Sequence, residues 1–292
     1  MPKLSTRAAG PRIARQSAWV RIFLFLGLLL LGWGPLALVI YWLGERLALT
    51  DTASAAALIL LYALFISLLR RWGRAVHRWG HPLSHCGLRW SSRLWSGLLK
   101  ALLAGVLAVF GLFGLEVLLG WAIPQPPSWS LLWTALEGLL VALGIGLAEE
   151  LFFRGWLLAE LERDYPSSVA LTINALIFAI AHFLRPLSDI LQTLPQFIGL
   201  FILGMALVWA RRIPSGERWQ RTRTDLGLPI GFHAGLVWGY YLIQVGQLTQ
   251  PKATVPDWLT GIDGNPLAGL LGLILLSIIA AKFARLASAS AD

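Results

Sequence analysis

The chain has 292 residues, of which 57% are hydrophobic and only 13% are charged. An ordinary soluble domain does not need this share of apolar sequence, so the composition indicates a membrane protein. The net charge of +9 does not indicate a nucleic-acid-binding surface, because the basic residues stand next to the ends of apolar segments, where anionic lipid is the expected partner. The single Cys86 excludes an intrachain disulfide.

Apolar segments of about 20 residues, the length that crosses a hydrocarbon core of ~30 Å as a helix, recur along the chain. Because the alternation typical of membrane strands is absent, we predict an all-α polytopic transmembrane bundle of about eight spans. In chain order the predicted spans are 19–43, 52–70, 96–122, 133–160, 168–187, 195–211, 228–247 and 266–281. We expect a basic N-terminal segment over 1–18, a single membrane domain over 19–285 and a tail over 286–292.

Positive charge falls on alternate connections between the predicted spans. It begins in the N-terminal segment from Lys3 to Arg21 and continues over 70–93, at Arg163, over 211–223 and at 282–285. By the positive-inside rule both termini are predicted to be cytoplasmic, which requires an even number of spans. The first apolar run exceeds the length of a signal-peptide core, so we interpret it as a retained span. The expected location is a bacterial inner membrane or an equivalent membrane, crossed several times.

Three charged residues lie inside the fourth predicted span, where each charge costs about 2.5–3.5 kcal/mol at the bilayer centre. They are Glu149, Glu150 and Arg154. Glu150 and Arg154 have the four-residue spacing of an ion pair within one helix, whereas Glu149 points about 100° away and can face a cavity. Such a trio serves either as a packing contact between helices or as part of a functional site.

Two histidines also fall inside predicted spans. His182 shares a helix face with Phe178, four residues earlier, and His233 lies in the seventh predicted span. One histidine in a span is most often a hydrogen-bonded packing residue. Two of them together with a carboxylate pair favour a general-base site or a metal site.

These residues form three ordered motifs: Glu149-Glu150-x-x-x-Arg154, Phe178-x-x-x-His182, and His233 followed by Ala-Gly. They resemble the motifs of the CPBP, or ABI-like, family, which comprises the CAAX prenyl endopeptidases and related bacteriocin-processing proteins. The resemblance covers about 130–247, the motif-bearing core. It implies an intramembrane endopeptidase that cleaves near the C-terminus or membrane anchor of a membrane protein or lipidated peptide.

The resemblance also implies a role for each motif residue. Glu149 would act as the base and hold a water together with His182, while Glu150 and Arg154 would orient and charge-balance that carboxylate. His233 would help to stabilise the oxyanion of the tetrahedral intermediate. These roles meet the needs of peptide hydrolysis, which requires a base for the water and donors placed where negative charge develops.

One position departs from the family pattern. The third motif usually has Asn or a similar polar residue four positions after its histidine, and this chain has Val237 there. Valine donates no hydrogen bond, and the next polar residue on that face, Gln244, is too distant to replace it. We therefore expect either a donor from another helix, or a catalytically weak or inactive protein that acts as a membrane scaffold.

Metal-free chemistry is expected, since a water-activating glutamate needs no ion and the H-E-x-x-H helix of soluble zinc proteases is absent. If Zn²⁺ were present, the expected ligands would be Glu149, His182 and His233, an acceptable set for catalytic zinc. A third functional class is a proton-coupled transporter that uses the acidic pair and the histidines as a relay. The absence of a recognisable inverted repeat argues against it.

Overall fold

A computed structural model of the chain describes residues 11–183, 190, 194–214, 225–252 and 254–289, except for the side chain of residue 263. Some of the sequence-based predictions fall outside the described residues. These are the first part of the basic N-terminal segment (1–10), the end of the fifth predicted span (184–187), most of the basic cluster (215–223) and the end of the tail (290–292).

Most of the described residues are helical, which confirms the predicted all-α fold. Each predicted span falls on one of eight longer helices: α1 (Ala18–Arg46), α2 (Thr50–Ala75), α3 (Ser92–Leu118), α4 (Leu131–Leu161), α5 (Ser167–Ala181), α6 (Gln196–Arg212), α7 (Gly227–Gln244) and α8 (Leu270–Ser288). Short helical segments lie at Arg12–Arg15, Pro82–His85, Asp257–Thr260, Ile262–Gly264 and Pro266–Ala268. Two three-residue strands, Ala122–Pro124 and Thr249–Pro251, pair in antiparallel fashion.

Five of these helices, α1 to α4 and α8, are long and apolar enough to cross a membrane by length and composition. The helix α5 is apolar but has only 15 residues. The helix α3 starts earlier than predicted because Ser91 caps it, its hydroxyl accepting the Leu94 N–H at 3.2 Å. The turn after α3 contains Gly120 at φ +72°, a conformation that favours glycine.

Contacts divide the chain into two compact units. The first contains residues up to Cys86 together with Ala159–Tyr165, and the second contains Gly87–Leu158 together with the chain from Pro166 onward. Within the first unit α1 packs against α2, and within the second α7 packs against α3 and α4 while α6 packs against α5 and α8. The single membrane domain that we expected over 19–285 stays a prediction.

The first unit buries a charged network centred on Glu160. One carboxylate oxygen of Glu160 accepts a hydrogen bond from Arg21 Nε at 2.8 Å. The other contacts Trp72 Nε1 at 2.9 Å and His77 Nε2 at 2.5 Å. Arg21 and Glu160 are both almost completely buried. A buried charge persists only when it is paired and hydrogen-bonded, so this network determines how the first two helices and the end of α4 are held together within the unit.

The second unit contains a close helix pair formed by α3 and α7. A Cβ atom added at Gly231 would lie 2.1 Å from the Leu98 carbonyl oxygen, and one added at Gly235 would lie 2.2 Å from that of Leu102. Small residues recur every four positions on this face of α7, namely Gly227, Gly231, Gly235 and Gly239. This is the small-xxx-small pattern that lets membrane helices approach at backbone distance, so it determines the rotation and depth of α7.

Candidate active site

The acidic pair lies where α4 changes its winding. Residues Leu151–Leu157, directly after Glu150, form a π-helical segment, a feature often found at functional sites. The buried Asn174 of α5 donates from Nδ2 to the Phe153 carbonyl oxygen at 2.7 Å. This hydrogen bond ties the π-helical segment to α5, which carries the first predicted site histidine at its end.

The ion pair expected from the four-residue spacing is present. Arg154 Nη1 donates to Glu150 Oε1 at 2.8 Å, and both side chains are fully buried. Arg154 Nη2 also donates to the Gly204 carbonyl oxygen of α6 at 3.3 Å. The guanidinium carbon lies 4.2 Å from the centre of the Phe178 ring, a cation–π contact. Arg154 therefore connects α4 to both α5 and α6.

Glu150 has a second partner that the sequence did not indicate. Its Oε1 atom lies 2.8 Å from Nδ1 of His233 on α7. Because an ionised carboxylate only accepts hydrogen bonds, Nδ1 of His233 donates and carries a proton. The Nε2 atom is then the ring nitrogen that His233 presents to the rest of the site.

His182 is held in a similar way by a backbone carbonyl. The helix α5 ends at Ala181, so His182 is its C-terminal capping residue and not an interior helical residue. Its Nδ1 lies 2.8 Å from the Phe178 carbonyl oxygen, which can only accept, so Nδ1 donates. The ring of His182 also packs at 4.6 Å from the Phe178 ring. These contacts leave Nε2 of His182 as its second functional atom.

The two Nε2 atoms converge on Glu149. Its Oε2 atom lies 3.8 Å from Nε2 of His182 and 4.0 Å from Nε2 of His233. This oxygen is buried and has no hydrogen-bond partner among the described residues, although the whole side chain is 26% exposed. Both separations exceed a hydrogen bond and suit polar atoms bridged by one water molecule. All five residues predicted from the sequence therefore lie in one cluster.

An apolar cavity of about 230 Å³ adjoins the cluster, with His182 and His233 in its wall. Val237 lines the same cavity, as its position four residues after His233 predicts. Gln244 lines a different cavity and donates from Nε2 to the Gly264 carbonyl oxygen at 3.3 Å. It does not reach the site, in agreement with the distance estimated from the sequence.

The geometry of the cluster also tests the zinc alternative. Zinc bonds of ~2.0–2.2 Å place two tetrahedral ligands about 3.3–3.5 Å apart, which is shorter than either contact to Glu149. Among the described residues, no group of three or more His, Cys, Asp or Glu side chains is arranged to hold a metal ion. In this arrangement the two imidazole Nε2 atoms lie farther from Glu149 Oε2 than two ligands of one tetrahedral zinc ion would.

Membrane-length apolar helices together with a buried cluster of carboxylates and imidazoles define a polytopic membrane protein with a polar site among its helices. Residues 131–239, which include every predicted site residue, match the family described as Rce1-like type II CAAX prenyl endopeptidase. This part of the chain, somewhat more than a third of it, is similar to that family of CAAX-type intramembrane proteases, and the five long apolar helices indicate an integral membrane protein. No curated protein and no solved structure matched it.

Proposed function

We propose that the protein is an intramembrane endopeptidase in which Glu149 activates a water molecule. The substrate would be a membrane protein or lipidated peptide, cut near its C-terminus or membrane anchor. The observation that carries the proposal is the approach of two imidazole Nε2 atoms, at 3.8 and 4.0 Å, to one buried oxygen of Glu149 beside a cavity. The family supports the class of substrate.

In the first step the water lies between Glu149 Oε2 and Nε2 of His182 and donates a hydrogen bond to each. Its oxygen attacks the scissile carbonyl carbon, Glu149 takes the released proton, and the electron pair of the C=O π bond moves to the carbonyl oxygen. When the tetrahedral intermediate collapses, the C–N bond breaks and the proton on Glu149 passes to the leaving nitrogen. The products are a carboxylic acid and an amine, and the base is regenerated.

Glu150 supports the oxyanion role proposed for His233. Since the Nδ1 proton of His233 is donated to Glu150, Nε2 can donate to an oxyanion only when the ring is doubly protonated. A buried carboxylate 2.8 Å from the ring stabilises that imidazolium, as the aspartate does in a Ser-His-Asp triad. Arg154 offsets the remaining charge of Glu150. The apolar walls of the cavity limit water and strengthen these interactions.

The experiment uses the purified full chain in proteoliposomes with a panel of farnesylated and unmodified peptides. Cleavage at one peptide bond is expected for the wild type, and Glu149→Gln is expected to lower kcat by about 10²- to 10⁴-fold, the contribution of a general base. The matched control is Glu137→Gln, an exposed glutamate on the same helix, which should stay within about twofold of wild type. Full activity in Glu149→Gln would eliminate Glu149 as the base.

A second candidate function is a scaffold that keeps the protease fold without turnover. The observation that favours it is the apolar side chain of Val237 in the cavity wall, where a hydrogen-bond donor would serve catalysis. A scaffold would cleave none of the peptides, and Val237→Asn would remain inactive although folded. A proton flux in proteoliposomes that is abolished by Glu149→Gln would instead support the transporter.

A further inference from the structure

The cavity beside the cluster has a second polar residue in its wall. Asn265, in the segment between α7 and α8, lines the same cavity as His182, His233 and Val237. The cavity has a volume of about 230 Å³, below the usual ligand-pocket range of ~300–1,000 Å³. A small cavity brings the side chains of its wall close to any peptide group bound in it.

The orientation of the Asn265 amide is determined by a hydrogen bond. Its Oδ1 atom accepts the Leu267 N–H at 3.0 Å and caps the short helix Pro266–Ala268. This assigns oxygen to the capping position and leaves the Nδ2 end to point elsewhere. The side-chain hydrogen bond of Asn265 among the described residues is made by Oδ1, and the residue is half-buried in the cavity wall. The capping hydrogen bond uses neither N–H group of Nδ2, so both can donate to a ligand.

The segment that carries Asn265 is held tightly by its neighbours. A Cβ atom added at Gly199 of α6 would lie 2.4 Å from the Leu267 carbonyl oxygen. One added at Gly272 of α8 would lie 2.0 Å from the Pro266 carbonyl oxygen. The absence of side chains at these two positions lets both helices press directly on the backbone that follows Asn265. A donor held in this way is preorganised, which oxyanion stabilisation requires.

We infer that Asn265 is a catalytic residue that donates an amide N–H to the oxyanion, from the wall of the same cavity that Val237 lines at the usual third-motif position. This inference rests on the proposed function, because the oxyanion forms only if water attacks a carbonyl in this cavity. The amide replaces the donor that Val237 cannot supply. It also differs from His233, since an amide donates whatever the protonation state of the imidazole.

The test compares Asn265→Asp with wild type in the full-chain cleavage assay. Aspartate keeps the capping oxygen but has no N–H, so the fold should be retained while kcat falls by about 10²- to 10³-fold with KM little changed. Gln125→Glu, an amide-to-acid change at a partly exposed residue directly after the first strand, is the matched control and should leave kcat unchanged. If Asn265→Asp does not accumulate folded, Asn265→Ser is measured instead, because serine also caps but its shorter side chain withdraws the donor.

Two further measurements separate an oxyanion donor from a structural residue. In the Asn265→Asp background, adding Val237→Asn should raise kcat at least about tenfold, because it supplies a new oxyanion donor. In the wild-type background the same change should raise kcat less than about threefold, because Asn265 already donates to the oxyanion. A phosphinic peptide, which mimics the anionic tetrahedral intermediate, should bind Asn265→Asp about 10²-fold more weakly than wild type. Binding of the uncleaved amide peptide, measured in the Glu149→Gln background, should not change.

The possible failures are distinguishable. If Asn265→Asp keeps wild-type kcat while Glu149→Gln is inactive, the role of Asn265 is overturned and the proposed function stands. The role would also be overturned if Asn265→Asp weakened the binding of the phosphinic peptide and of the amide peptide equally. A donor specific to the tetrahedral intermediate should affect the binding of the phosphinic peptide only. If the wild type neither cleaves the peptides nor binds the phosphinic peptide, both proposals are overturned.

Discussion

The buried ion pair of Arg154 and Glu150 tests which residues of the cluster stabilise the fold and which act in catalysis. Arg154→Ala removes the ion pair at 2.8 Å, the hydrogen bond to the Gly204 carbonyl and the contact with the Phe178 ring. It also leaves the fully buried Glu150 carboxylate without its cation. Breaking a buried pair in this way costs about 3–5 kcal/mol of the free energy of unfolding.

Glu149→Gln should behave differently. Glu149 is partly exposed, and the two imidazole nitrogens near it, at 3.8 and 4.0 Å, are beyond hydrogen-bond distance. Among the described residues, replacing this carboxylate with an amide of the same shape removes no direct hydrogen bond, so we expect a stability change below about 1 kcal/mol. We therefore expect Glu149→Gln to lose peptidase activity while it keeps nearly the wild-type stability. The two variants therefore separate a catalytic carboxylate from a structural pair.

The assay is reversible unfolding of the full chain in mixed micelles by SDS titration, followed by tryptophan fluorescence. A double variant isolates the cause of the loss. If the unpaired charge destabilises Arg154→Ala, then adding Glu150→Gln should recover about 1–3 kcal/mol, because a neutral amide costs less to bury than a carboxylate. Equal stability losses for Glu149→Gln and Arg154→Ala would refute this reasoning, as would a double variant no more stable than Arg154→Ala.

Three other predictions follow from the topology and from the packing of each unit. Reporters fused to the two ends of the chain should both report the cytoplasm, and one placed between Lys252 and Asp257 should report the opposite side, because positive charge alternates along the connections. Glu160→Ala should cost about 3–5 kcal/mol in the same unfolding assay, since it leaves the buried Arg21 without its main partner. Gly231→Ala should cost about 1–3 kcal/mol and lower any peptidase activity, because its Cβ would lie 2.1 Å from a carbonyl oxygen of α3 and push α7 away.

Each of these predictions has a control or a contrary outcome. Two ends on opposite sides of the membrane would show that the number of spans is odd. Glu162→Ala changes an exposed carboxylate two positions from Glu160 and should cost less than about 1 kcal/mol. Gly144→Ala, where an added Cβ meets nothing within 4 Å, should be neutral or slightly stabilising. A loss in Gly144→Ala as large as that in Gly231→Ala would show that glycine flexibility, and not close packing, matters.

The helices were predictable because the signal for each one is local. Apolar runs of membrane length are properties of consecutive residues, and each of the eight predicted spans overlaps a helix in the part of the chain that the structure describes. The ion pair of Glu150 with Arg154 was predictable for the same reason, since four residues make one turn of one helix. Boundaries were less predictable: α3 begins at Ser92 because of a capping hydroxyl, and α5 stops just before His182.

The sequence by itself determined the membrane class of the protein, its resemblance to the CAAX protease family and the choice of the five residues that lie in the cluster, because hydropathy and motif spacing are read along the chain. Only the tertiary structure decided that Glu150 contacts His233, that His77 contacts Glu160, and that Asn265 shares a cavity with the histidines. These contacts join residues that are far apart in sequence. Their distances depend on how helices rotate and approach one another, which is set by backbone contacts such as those at the glycines of α7. No local pattern encodes that rotation. The residue types of the site were therefore predictable from the sequence, whereas the contacts between them were not.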